Sequence, residues 1–252
     1  MRDTLKDKKY FEDFLVKLEN IDKKTERKIA DGEINPERIV IVRLSMIQNL
    51  MNRMQAKYSL GLPVDSILEE YNEALDLISQ YWSGNCKFIG SKNEVLDQYS
   101  LGDYDTMLWM LSIGYLLNIP EDRFMILVNA IDKDHVKDKL FEFIISAKII
   151  SRAKINEESY KYGFKLFGSI RKAIDTNDLS EAANLIKIFL EKEWFKEHKS
   201  CGWQNRHKNP HNTYSGFWCF EAAAVVKIMG LDDSSFTNNK YYPKDLVNSN
   251  NK

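Results

Sequence analysis

From Tyr104 to Asn118 the sequence reads YDTMLWMLSIGYLLN, apolar almost all round. A helix without a polar face has to be enclosed on every side. The uncharged run from Thr106 to Pro120 is too short to span a bilayer, and Pro120 ends any helix there, so the enclosure must come from protein. The remaining sequence, 252 residues in all with 44% hydrophobic content, is long enough to supply it as one large or two small cores.

The segments that would wrap this helix carry helical periodicity in turn. Tyr10, Phe11, Phe14, Leu15, Leu18 and Ile21 define an amphipathic helix over about 4–30, closed by Asp31-Gly32. Pro36 opens a second helix to about Tyr58, whose apolar side includes Met46, Ile47, Leu50, Met51 and Met54. Gly61 and Pro63 precede a third from Val64 to Trp82, and residues 83–102, rich in Gly, Ser, Asn and Lys, read as a long connection with at most one short helix. Pro120-Glu121-Asp122 starts a helix to about Ile131, and further helices are expected over Asp134–Ile150 and near 157–175 and 178–195. No period-2 strand stands out. The expectation is an all-α fold of nine or ten helices in a two-part bundle, residues 1–132 and 133–252. A weak echo between Tyr104–Phe124 and Tyr214–Phe236, each running from a tyrosine through an apolar helix to an acidic turn and a phenylalanine, points the same way.

Chemistry-bearing motifs are sparse. Cys86, Cys201 and Cys219 make neither a disulfide framework nor a CxxC pair, which fits a reducing cytoplasm. The charged N-terminus lacks the pattern of a signal peptide, and no membrane segment is read. His207 and His211 have H-x3-H spacing, but Pro210 between them argues against the helix a zinc pair would need. There is no G-x-S-x-G elbow, P-loop or GxGxxG, and no cofactor or metal is expected.

Charge is unevenly spread. Residues 61–135 hold 4 Lys/Arg against 13 Asp/Glu, whereas 1–60 hold 13 against 10 and 136–252 hold 19 against 14. Glu69, Glu70, Glu73 and Asp76 share one helix on which no Lys is placed to neutralise them. Such a segment is either a solvated face or a docking surface for a basic partner.

The densest set of unusual residues lies between Trp203 and Leu246. Asn212 and Thr213 can cap a helix that ends at Gly230, and its apolar run is interrupted only by Glu221. A carboxylate among aromatics must be paired, hydrogen-bonded or protonated. Glu221 is expected to accept hydrogen bonds from Tyr, Trp or backbone donors of its own segment. Tyr241 and Tyr242, beside the rigid turn at Pro243, are expected to anchor the C-terminal tail.

Three blocks of this stretch, YSGFWCFEAAAVVK from Tyr214, GLDDSSF from Gly230 and YYPKDL from Tyr241, resemble the C-terminal signature of PoNi immunity proteins, and Arg43–Gly61 is similar to their N-terminal region. The resemblance implies an all-helical, non-enzymatic cytoplasmic protein that binds and neutralises a cognate PoNe-type DNase toxin of interbacterial competition. It implies no direct contact with nucleic acid or membrane, and a homodimer stays open. Occlusion of the toxin's basic DNA-binding surface would fall to acidic residues: Glu69, Glu70, Glu73, Asp76, Asp97, Asp103 and Asp105, with Asp232 and Asp233 as a second group. The signature residues Trp203, His211, Tyr214, Gly216, Trp218, Glu221, Tyr241, Tyr242, Pro243 and Asp245 would hold the fold. The competing readings are a small hydrolase using Glu221 and His211, and a helical protein-binding adaptor.

Overall fold

A computed structural model describes residues 1–152, Glu158 and 167–248. The helices are α1 (Lys8–Ala30), α2 (Ile39–Leu60), α3 (Leu68–Tyr81), α4 (Leu101–Leu116), α5 (Glu121–Lys133), α6 (Lys139–Lys148), α7 (Gly168–Ala173), α8 (Leu179–Ile188) and α10 (Phe220–Met229), with single turns α9 (Trp194–Glu197) and α11 (Lys244–Val247). Among the described residues the fold is all-α apart from one antiparallel hairpin, β1 (Lys87–Ile89) and β2 (Val95–Tyr99). Packing divides the chain into two compact units, one of residues 1–85 with 205–217 and the other of 86–204 with 218–252.

In the first unit α2 is the central element. α1 buries Phe11, Phe14, Leu18 and Asp22 at spacings of three and four, which puts them on one face, and α3 buries Glu70, Tyr71, Ala74, Leu75 and Ile78 likewise. Asp7 caps α1 by accepting from the Tyr10 amide. α2 ends at Gly61, whose φ of 88° suits glycine, and a Cβ there would lie 2.9 Å from the Met1 nitrogen. The amides of Arg2 and Asp3 both donate to the Ser59 carbonyl. Residues 205–217 form a strap across this unit. Tyr10 donates its hydroxyl to the Tyr214 carbonyl at 3.0 Å and accepts from the Tyr214 amide at 2.9 Å; the Tyr214 hydroxyl donates to Asp3 at 2.5 Å. Ser59 donates to the Ser215 carbonyl at 2.8 Å.

In the second unit α4 is enclosed as its composition requires: from Tyr104 to Gly114 every residue is buried. α10 packs on it through Phe220 to Val226, also buried. Asp138 and Asp178 cap α6 and α8. A π-helical turn, Phe189–Glu193, links α8 to α9.

Several local expectations need correction. Residues 83–102 contain the hairpin rather than a long connection with a short helix. Its strands of three and five residues are too short for alternation to register, and the Gly90 amide closes the tip on the Glu94 carbonyl with Asn93 left-handed at φ 58°. The helix foreseen after Asn212 and Thr213 begins only at Phe220, because the Tyr214 amide and carbonyl are both committed to the Tyr10 hydroxyl and Gly216 has φ 134°. The helix foreseen from Asp134 begins at Lys139, since Asp134 caps the end of α5 and His135 is left-handed at φ 57°. Of the helix near 157–175, residues 157 and 159–166 lie outside the described residues, and α7 covers Gly168–Ala173. The echo does not extend to local structure: Tyr104 sits within α4, Tyr214 in the extended strap.

Candidate functional site

Two constellations gather the charged residues, one in each unit. In the first, Glu69, Glu73 and Asp76 are exposed on α3 at i, i+4 and i+7, one stripe along the helix. The helix contains no Lys or Arg. Glu70 does not join them. It is fully buried, accepting from Arg53 at 2.8 Å and Lys57 at 2.6 Å, because its position on the wheel faces α2. The cations absent from α3 are therefore supplied to its inner face by α2.

α2 serves α1 as well. Asn49 donates to Asp22 Oδ1 at 2.7 Å, Arg53 lies 3.8 Å from Asp22 Oδ2, and Arg43 pairs with Glu26. Burial pushes the Asp22 carboxyl above its ordinary range, and Asn49 and Arg53 only partly offset this. Glu73 is also pushed up, first by partial burial; Arg53 opposes this, and the carboxylates of Asp22, Glu70 and Glu26 add to it. Sequence reasoning missed this network. Arg53 and Lys57, four apart on α2, were its one visible signal.

The second constellation surrounds Glu221, which is fully buried. Its carboxyl accepts from the indole of Trp194 at 2.7 Å and from that of Trp109 at 3.1 Å. The side-chain donors are tryptophans, as expected, but they come from α9 and α4; its own segment supplies a backbone hydrogen bond, from Glu221 itself. Burial raises Glu221 to about 7, with His198 opposing the rise. His198 places Nδ1 2.5 Å from the Trp194 carbonyl and Nε2 3.2 Å from Asp105. Both neighbours are acceptors, so the ring is satisfied when both nitrogens carry protons. Burial acts to lower its pKa, yet the charge and hydrogen bond of Asp105 and the Trp194 carbonyl outweigh this and lift it to about 9. Asp105, foreseen as a surface charge, is only 2% exposed; it also accepts from Trp203 at 3.4 Å. The π turn immediately before Trp194 sets the position of its indole.

Of the other acidic candidates, Asp97 is exposed and paired with Lys87 at 2.5 Å, and Asp103 is half-buried and accepts from Ser100 at 2.6 Å. Asp232 is exposed, accepting from the Ser234 amide, and Asp233 is half-buried, accepting from Tyr242 at 2.9 Å. All four belong to the second unit, whereas α3 belongs to the first.

The signature residues other than His211 lie in packed surroundings. Trp203 sits against Trp194 with ring centroids 5.3 Å apart, and Tyr241 stacks on Phe195 at 5.2 Å while its carbonyl accepts from the Cys219 amide. Trp218 is 6% exposed, and Pro243 precedes α11, whose first turn holds Asp245. His211 is exposed, and its carbonyl accepts from Lys17 at 2.7 Å. His207 lies in a 3-10 turn, Arg206–Lys208, so the H-x3-H spacing does not align two imidazoles on an α-helix. Both Glu221 oxygens are held by indoles, which gives no support to the hydrolase reading. Among the described residues no three His, Cys, Asp or Glu side chains are grouped to hold a metal ion, and no helix is long and apolar enough to cross a membrane.

Comparison with solved structures finds the crystal structure of protein PA2201 from Pseudomonas aeruginosa, 16% identical, with a TM-score of 0.54 over 83% of this chain and 74% of that one. At that identity the likeness concerns the fold alone. A search of curated proteins finds no match. The family model described as "PoNe immunity protein (PoNi), N-terminal" matches residues 2–129, and that described as "PoNe immunity proteins (PoNi), C-terminal" matches residues 136–246. With nearly its whole length matched by the two models in order, the chain belongs to the PoNi family, the immunity proteins of PoNe toxins.

Proposed function

We propose that this protein binds a cognate DNase toxin in the cytoplasm of the cell that makes it, and neutralises the toxin by covering its DNA-binding and active-site surface with an acidic face. The reading carries the family's immunity role to a mechanism. A nuclease needs a cationic surface for the phosphate backbone, and an acidic protein surface competes for that same surface. The observation that carries the proposal is the exposed stripe of Glu69, Glu73 and Asp76 on a helix with no basic residue. Asp97, Asp103, Asp232 and Asp233 form a subsidiary group. Glu70 and Asp105 are withdrawn from the interface because their charges are spent on buried partners. Inhibition by occlusion requires no catalytic group in the inhibitor, and none is assigned. The proposed organisation keeps the division near residue 132 for the family's two regions.

Reversing Glu69, Glu73 and Asp76 together to Lys tests the reading against the cognate nuclease toxin. Electrostatic steering acts mainly on association, so the on-rate should fall by at least about tenfold at low salt, with a flattened salt dependence. An unchanged on-rate and salt slope would exclude this face.

A further inference from the structure

Two columns of side chains flank the strap. On α1, Tyr10, Lys17, Ile21, Lys24 and Lys28 recur at helical spacing, and on α2, Ile41, Ser45, Gln48, Asn52, Gln55 and Ser59 do the same, so each set lies along one face. The helices run antiparallel, with Asn49 meeting Asp22 and Arg43 meeting Glu26; Tyr10 therefore stands level with Ser59, and Lys28 with Ile41. The strap covers one half of the face between the columns. Tyr10, Lys17 and Ser59 donate to the carbonyls of Tyr214, His211 and Ser215, and Asn52 accepts from Arg206. Most of this grip is on backbone, which any extended chain offers. The other half of the face is open. Ile21 is 42% exposed and Ile41 63%, and Lys24, Lys28, Ser45 and Gln48 are exposed with them. Neither column contains a carboxylate, and Lys24 and Lys28 make no ion pair among the described residues. A lone exposed isoleucine is ordinary on a surface, but these two mark opposite ends of one face with Lys24 between them.

We infer that the open half binds an extended, acidic segment of the toxin that continues the line of the strap. From Lys17 to Lys28 the face runs about 16 Å, the length of about five extended residues. The segment places a carboxylate on Lys24 and Lys28 and an apolar side chain against each isoleucine, while its backbone takes the donors of Ser45 and Gln48 as the strap takes those of Tyr10 and Ser59. The lysines select against a basic segment and the isoleucines against a wholly polar one. A second copy of the chain is a poor occupant: a face about 16 Å long and one helix spacing, about 10 Å, wide is far below the about 800 Å² that each partner buries in a stable interface. The inference rests on the proposed binding of the toxin and adds to it a contact of opposite charge to the α3 stripe, one that reads a particular segment rather than a cationic surface in general.

Lys24→Glu and Ile41→Ser test the two kinds of contact, and Lys92→Glu, at the exposed tip of the hairpin, is the control for a general change of charge. Each protein is assayed for melting temperature and oligomeric state alone, and for equilibrium binding to a catalytically inactive form of the cognate nuclease toxin. All three positions are exposed, so melting temperatures should stay within about 2 °C of the wild type. Lys24→Glu and Ile41→Ser should each weaken binding about tenfold, and Lys92→Glu by less than about twofold. Cross-links from a photoreactive side chain in place of Ser45 should map to a toxin segment that carries an acidic residue. The inference is refuted, and the occlusion reading stands, if the wild type binds and the Lys24 and Ile41 variants bind equally well, if Lys24→Glu binds more tightly, or if Lys92→Glu weakens binding as much. It is also refuted if the protein alone is a dimer that Ile41→Ser dissociates, because the face then belongs to a second copy. If the wild-type protein does not bind the toxin, both readings fall.

Discussion

Replacing Glu221 by alanine separates two opposing consequences of burying that carboxyl. The first is loss of an acceptor: the indoles of Trp194 and Trp109, both buried, would keep N–H groups with nothing to receive them. At about 1–3 kcal/mol for each orphaned donor, the variant should lose about 2–6 kcal/mol of stability. The second is relief of charge burial. Glu221 ionises at about 7 in the folded protein against 4.5 when unfolded, so the folded state holds its proton more tightly. Wild-type stability from this group is therefore full below about 4.5 and falls as pH rises to about 7, by about 3 kcal/mol in all. Alanine has no such cost, so its deficit should be largest near pH 5 and shrink by about 2–3 kcal/mol by pH 8. His198 also contributes a fall, present in full below 6.5 and lost as pH rises toward about 9. Its main partner, Asp105, remains in both proteins and Glu221 is the last of the causes that raise it, so most of the His198 contribution cancels in the difference between wild type and variant. Urea denaturation of the two proteins at pH 5, 6.5 and 8 gives this difference directly. A destabilisation that is independent of pH, or that grows with it, would refute the assignment of a raised, indole-bound carboxyl.

Tyr10→Phe removes both hydrogen bonds that hold the Tyr214 backbone and should cost about 1–3 kcal/mol, measured by denaturant titration; an unchanged midpoint would show that the strap does not depend on this hydroxyl. Gly61→Ala should lower the melting temperature by about 2–6 °C, more than Gly32→Ala, because both have φ positive but only the Cβ at 61 meets another atom, the Met1 nitrogen. Equal losses at the two glycines would remove the N-terminal contact from the explanation.

Helix identity was legible wherever one face of a segment alone is buried. The buried positions of α1, Phe11, Phe14 and Leu18, were visible as a stripe, and α4 announced itself by having no polar face at all. What could not be read was every feature decided by a distant partner. Tyr214 looks like a helix start until Tyr10, far away in sequence, claims its backbone. Glu70 looks like its neighbours Glu69 and Glu73 because helical phase alone does not reveal that Arg53 and Lys57 wait beneath it. Asp105 was counted as a surface acid because its partner His198 lies in another part of the chain. In each case the local sequence permits two states, and a pairing across the fold selects between them.

The strap also sets the order in which the protein can be completed. Tyr10 leaves the ribosome 204 residues before Tyr214, whose backbone it holds, so the first unit stays unfinished until synthesis has passed the strap. Closing so large a loop makes this a late, slow step relative to the local helical contacts of α1 to α3. A chain cut at the boundary between the two matched regions would yield an N-terminal piece lacking residues 205–217, in which Ser59 loses its hydrogen bond to the Ser215 carbonyl and Asp3 the one from the Tyr214 hydroxyl. Supplied separately, a peptide of residues 205–217 should complement that piece, and the newly synthesised protein should pass through a protease-sensitive interval that ends as the strap docks.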